Sequence, residues 1–157
     1  MFLYEAFPPA LIKVGLEADD KDEAFEEMVD RFCQVLKSDS REEILEALME
    51  RESKMSTGIH KGIAIPHGRT NAVKDVHGIV GISKKGIDYD ALDGKPVYIL
   101  FMLFAPLSDS GEYLRLLKRL AVLLDNSEFY AELLAQNDSQ SANAIIRKYE
   151  DIYIALE

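Results

Sequence analysis

The segment Lys61-Gly62-Ile63-Ala64-Ile65-Pro66-His67-Gly68-Arg69 concentrates the chemistry of this 157-residue chain. A short apolar run leads into a proline, then a histidine, then a glycine. Pro66 fixes its own φ and has no N–H, so a strand must stop there or run along a sheet edge. Gly68 lets the next peptide turn and admits another molecule close to the backbone. His67 is thereby presented at the end of a rigid strand with little bulk beside it. A neutral imidazole is both a proton carrier and a nucleophile near neutral pH. Taken alone, the residue is equally compatible with a structural histidine that closes the strand.

The other two histidines offer less. His60 lies in a loop and His77 opens a strand. A zinc site built from all three is disfavoured, because the spacings of 7 and 10 residues match no standard ligand pattern and Cys33 is distant. No metal and no organic cofactor is expected. Cys33 is the single cysteine, which excludes an internal disulfide and fits a reducing cytoplasm. Its place in an apolar helical stripe reads as an inert core thiol. A hydrolase using His67 as general base lacks an elbow serine to act as nucleophile.

The formal net charge is −10, which argues against nucleic acid and against anionic membranes. Much of the acidity falls between Glu17 and Glu52, on helix faces that read as solvated surface. The longest apolar run, Val97 to Pro106, has the length of a strand and not of a membrane span. Met1 to Glu5 lacks the basic region and long apolar stretch of a signal peptide. A cytoplasmic protein with no direct membrane insertion is expected. With no repeat and no Gly/Ser linker, residues 1–157 read as a single domain.

Periodicity supplies the elements that must hold His67. Ala10 to Glu17 alternates like a strand. Asp20 with Glu23, and Ser40 with Glu43, form two capping-box patterns. They precede helices with stripes at Phe25, Met28, Val29, Phe32, Cys33, Leu36 and at Ile44, Leu45, Leu48, Met49. Gly62 to Pro66 and Val76 to Ser83 read as strands, and Gly86 to Tyr89 as extended or turning. Val97 to Phe104 carries no charge, as a central strand covered on both faces would. Ser108 or Ser110 is placed to cap a helix from Glu112 to Leu124, followed by helices near Ser127 to Ala135 and Ser139 to Tyr149. The fold class is α/β (α+β layered), a small mixed β-sheet flanked by helices on both faces.

The stretch Ser56-Thr57-Gly58 through Pro66-His67-Gly68 resembles the phosphohistidine signature of the fructose/mannitol-type enzyme IIA domains of the bacterial sugar phosphotransferase system, and most of all their stand-alone nitrogen-regulatory branch. Glu46 to Glu52 resembles the family's helix end, and Asp93-Gly94-Lys95-Pro96-Val97 its lead-in to the central strand. The likeness runs from about Ser40 to Asn126 and more loosely to both ends. It implies that His67 accepts a phosphoryl group, on Nε2, from an HPr-type phosphocarrier protein. The group then passes to an enzyme IIB domain, or its presence regulates target proteins. It also implies an active-site role for Arg51, which lies 16 residues before His67. A guanidinium there offers two parallel hydrogen bonds to phosphate oxygens. Ser56, Thr57 and Ser110 are further hydrogen-bond donors for a phosphate, Gly68 gives clearance, and the helix start after Pro106 favours an anion.

One position departs from the family. Its usual second histidine falls at Tyr113, a phenol that donates a hydrogen bond but carries no positive charge near neutrality. Transfer then proceeds with a neutral donor, or it is slow and the domain acts by binding partners. Arg51 has the alternative of serving the C-terminal end of its own helix. Tyr113 faces either the core or the site.

Overall fold

The computed structural model describes residues 1–156, apart from the side chain of His60. Helix α1 (Leu3–Ala6) and a single 3₁₀ turn (Pro9–Leu11) lead into strand β1 (Ile12–Val14), which is shorter than the alternation from Ala10 to Glu17 predicts. Pro9 at the start of the 3₁₀ turn takes the first residues of that stretch out of the sheet. Helices α2 (Lys21–Leu36) and α3 (Arg41–Lys54) follow. Asp20 caps α2 by accepting a hydrogen bond from Glu23 N at 2.9 Å, but Glu23 reaches back to Asp19 N and not to Asp20. The predicted box at Ser40 does not form: Ser40 makes no side-chain cap, and only its carbonyl serves the helix, accepting from Ile44 N.

The sheet contains β2 (Gly58–His60), β3 (Ile63–Ala64), β4 (His67–Arg69), β5 (His77–Ile87) and β6 (Val97–Ala105), in the order β1-β5-β6-β3-β2, with β4 also against β6. Val76 to Ser83 and Gly86 to Tyr89, read separately in the sequence, merge largely into the 11-residue β5. The pairing of β5 with β6 is antiparallel and shifts register between Ile82 and Ile87. On the other side of β6, β3 and β4 run parallel to it as one interrupted line, Ile63 opposite Ile99 and His67 opposite Leu103. Pro66 sits in the interruption. It has no N–H to give, but its carbonyl still accepts from Leu103 N at 3.1 Å. The chain therefore breaks at Pro66 and resumes pairing at His67, along the edge.

Strand β6 divides the core in two. Ile99, Phe101, Leu103 and Ala105 face α4 (Glu112–Leu124), α5 (Ser127–Leu134) and α6 (Ser139–Ala155). Leu100, Met102 and Phe104 face α2 and α3. Side chains that alternate across a strand buried on both faces give an uncharged run, as its sequence shows. The fully buried Glu150 of α6 fastens α1 by accepting from Leu3 N at 2.6 Å and Tyr4 N at 3.1 Å, and it pairs with Arg119 at 3.0 Å. Gly62 is required where it stands, since its φ is +82° and an added Cβ would lie 2.6 Å from the Tyr130 hydroxyl.

Candidate functional site

His67 is the first residue of β4, and Gly68, the next, is buried against α3. A Cβ at Gly68 would stand 3.2 Å from the backbone carbon and oxygen of Ala47. Gly68 has no positive φ and makes no turn. The room a Cβ would need is taken up by helix α3, while Gly68 itself still borders the cleft described below. That close approach has a consequence one helical turn further on. Arg51, four residues after Ala47, reaches His67 and donates from Nε to Nε2 at 3.3 Å. Its Nη1 donates to Met55 O at 2.9 Å, so Arg51 serves both the histidine and the end of its own helix.

The tautomer of His67 follows from its other partner. Nδ1 lies 2.8 Å from Ile65 O, and a carbonyl oxygen only accepts, so Nδ1 carries the proton and Nε2 holds the lone pair. Burial holds the imidazole below its ordinary pKa. The Ile65 carbonyl opposes that shift and the Arg51 charge adds to it. The site therefore presents a neutral ring in one tautomer with its free nitrogen toward a guanidinium.

Tyr113, in the first turn of α4, is 6% exposed and faces the site: its ring centroid lies 5.9 Å from that of His67, tilted by 57°. Burial raises its phenol pKa well above the usual value, so it is a neutral donor at any physiological pH. The Arg69 guanidinium lies over the Tyr113 ring, its carbon 5.0 Å from the centroid. His67, Arg51, Gly68 and Tyr113 line a cleft of about 410 Å³ together with Lys54, Arg69, Glu50 and Leu107. Arg69 and Lys54 were missed from sequence, although simple periods point to them. Arg69 is two residues beyond His67 on a strand and shares its face, while Lys54 is three residues beyond Arg51 on a helix.

The predicted hydroxyl donors are elsewhere. Ser56 Oγ accepts from Gly58 N at 3.2 Å and closes a local turn. Thr57 is buried, its Oγ1 2.5 Å from Glu52 Oε1 and 2.6 Å from the Tyr89 hydroxyl. Glu52 Oε2 accepts from Thr57 N at 2.8 Å and pairs with Lys21 at 3.1 Å. Burial pushes the Glu52 carboxyl up, but the Thr57 bonds and Lys21 outweigh it and hold the group below its ordinary pKa. Neither Ser56 nor Thr57 lines the cleft. Ser108 and Ser110 line a separate hollow, and neither caps α4, whose cap residue is Gly111. Asp109 Oδ2 already accepts from Gly111 N at 3.1 Å and Tyr113 N at 3.2 Å. A carboxylate of the chain thus occupies the helix start that sequence offered to an anion.

The side chain of His60 lies outside the described residues. His77 opens β5 with its ring edge-on to Phe32, centroids 6.0 Å apart. Among the described residues no three His, Cys, Asp or Glu side chains group as metal ligands, and no helix is long and apolar enough to cross a membrane.

The family model described as phosphoenolpyruvate-dependent sugar phosphotransferase system, EIIA 2, matches residues 5–149. The chain is 37% identical over 146 residues to the fructose-specific EIIABC component of Bacillus subtilis, covering 93% of this chain and 22% of that longer protein. It is 32% identical to the fructose-specific EIIA component of Haloferax volcanii, covering 88% of this chain and 90% of the relative. The crystal structure of the nitrogen regulatory protein IIA-Ntr from Neisseria meningitidis superposes with a TM-score of 0.84 at 32% identity, covering 92% and 98% of the two chains.

Proposed function

The chain belongs to the EIIA 2 family of the phosphoenolpyruvate-dependent sugar phosphotransferase system, and from that premise we propose that His67 Nε2 is its phosphoryl acceptor. The donor in this reading is an HPr-type phosphocarrier. The phosphoryl group leaves for an enzyme IIB domain or stays as a signal to regulatory targets. The carrying observation is that Nδ1 is committed to Ile65 O while Nε2 faces the cationic cleft beside Arg51.

The step balances without a cofactor. The Nε2 lone pair forms the new N–P bond as the donor's N–P bond breaks, and that electron pair returns to the donor's nitrogen. No proton has to leave Nε2. Positive charge that develops on the ring is shared through Nδ1–H with the Ile65 carbonyl. The Arg51 contact at 3.3 Å is long for a hydrogen bond, so the guanidinium is free to turn onto the phosphoryl oxygens. Arg51, Lys54 and Arg69 offset the charge on those oxygens, and catalysis is chiefly positioning and electrostatics. Tyr113 adds a neutral donor and no charge, so a histidine there would speed transfer. Residues 1–157 act as one EIIA domain, in the cytoplasm.

The fructose-specific relatives favour onward transfer, and the nitrogen regulatory structure favours a regulatory output. Both readings share the phosphorylated state. Incubation with phosphoenolpyruvate, enzyme I and HPr, followed by intact mass, should add one acid-labile phosphoryl group that His67→Ala abolishes. Discharge by an added IIB protein then separates relay from signal. A folded protein that gains no adduct, beside a control acceptor that does, would overturn the reading.

A further inference from the structure

The chain has seven arginines, and six of them have an acceptor. Arg31 bonds Ala10 O, Arg41 bonds Asp30 and Glu42, and Arg51 bonds His67 and Met55 O. Arg115 pairs with Glu112, Arg119 with Glu150, and Arg147 with Asp151. Arg69 alone has no hydrogen bond and no carboxylate partner among the described residues. This is unusual in a chain with 28 acidic side chains. Among the described residues, the one charge interaction of its guanidinium is with the ring of Tyr113, which itself packs on His67 at the wall of the cleft.

We propose that Arg69 is a phosphoryl-binding residue held in readiness on the ring of Tyr113, and that Tyr113 is the positioning residue that keeps it there. Strand geometry supports the reach, since His67 and Arg69 leave β4 on the same face. A guanidinium held over an aromatic ring keeps its N–H donors unspent, because the ring attracts its charge and takes no hydrogen. Moving to a phosphate exchanges this weak contact for two charge-assisted hydrogen bonds and breaks no ion pair. Any carboxylate in place of Tyr113 would have bound the arginine too firmly to release it. The aromatic surface of Tyr113, not its hydroxyl, does this work, which separates the proposal from a role for the phenol as donor. The proposal rests on the phosphocarrier reading for its biological use, but its binding step is testable without transfer.

The test uses inorganic phosphate and the unphosphorylated full chain, followed by NMR at the Arg69 Nε–H and the His67 ring. Phosphate should shift both resonances. Arg69→Gln should weaken binding about tenfold, the loss of a charge-assisted pair, with Arg69→Lys in between. Tyr113→Phe loses the phenol donor but keeps the ring, so it should keep the phosphate-induced shift at the Arg69 Nε–H, whereas Tyr113→Leu should lose most of that shift. Unchanged affinity in Arg69→Gln, or a loss of the Arg69 shift in Tyr113→Phe equal to that in Tyr113→Leu, would overturn the proposal. Arg69 is exposed, so its variants should fold, and Tyr113→Phe keeps the packing of the buried position. In the HPr assay, the phosphorylated Arg69→Gln protein should discharge faster to water than the parent. Phosphate binding that depends on Arg69, in a protein that HPr never phosphorylates, would sink the carrier reading and leave this site standing.

Discussion

Arg51 and His67 meet at 3.3 Å across 16 positions of sequence, and a glycine makes the meeting possible. The absent side chain at Gly68 lets α3 lie against β4, and the helix repeat then delivers the guanidinium to Nε2. The pair joins packing to electrostatics, because any change in the seat of α3 changes the charge beside His67 Nε2.

Arg51→Gln should therefore act twice. Loss of the positive charge should raise the His67 pKa, since Arg51 now lowers it. Phosphoryl transfer should fall about 100-fold, the usual effect of removing one preorganised donor. The NMR titration of the ring and the HPr transfer rate read the two effects separately. A lower rate with no change in the titration would place Arg51 away from the ring in solution.

Gly68→Ala should push α3 off the strand. The new Cβ meets helix backbone at 3.2 Å, which has little freedom to yield. A loss of about 1–3 kcal/mol in urea unfolding is expected. Transfer should fall further than this loss of stability explains, because Arg51 moves with the helix. A variant as stable and as active as the parent would show that the helix shifts freely.

The pH profile follows from burial. His67 titrates below the ordinary value of 6.5, and His77 shifts the same way for the same reason. Between the folded value and 6.5, the unfolded chain takes up protons that the folded protein refuses. Stability from these groups is complete above 6.5 and is lost as pH falls through the folded values. Phosphoryl acceptance needs the neutral ring, so its acid limb should have a midpoint below 6.5. Transfer rates measured against pH check this, and a midpoint above 6.5 would contradict the buried neutral ring.

Glu52→Gln tests the network behind the site. The carboxylate holds Thr57, Tyr89 and Lys21 together at the end of α3. Its loss should destabilise the fold by about 1–3 kcal/mol at neutral pH, measured by urea unfolding. The Glu52 pKa lies below 4.5 in the fold, so its contribution is present above that value and disappears as pH falls through the folded pKa. The variant should flatten that acid limb. It should also lower the His67 pKa, opposite in sign to Arg51→Gln, because the Glu52 charge now raises it.

Most of the elements, and the singling out of His67, were legible in the chain alone. A proline before a histidine constrains φ within two residues, and the stripe of α2 or the uncharged run of β6 repeats within a few. Such signals are local and survive without coordinates, so the layered sheet and the presentation of His67 were legible. Boundaries were less so: α1 and the 3₁₀ turn, and the joining of two segments into β5, depend on what each stretch packs against. Which groups meet His67 depended on packing between elements far apart in the chain. Hydroxyls, carboxylates and cations compete for the nearest partner, and distances of a few ångströms between residues far apart in sequence settle the contest. Thr57 went to Glu52, Asp109 took the start of α4, and Ala47 filled the space at Gly68. Arg69 was left with an aromatic ring beside His67.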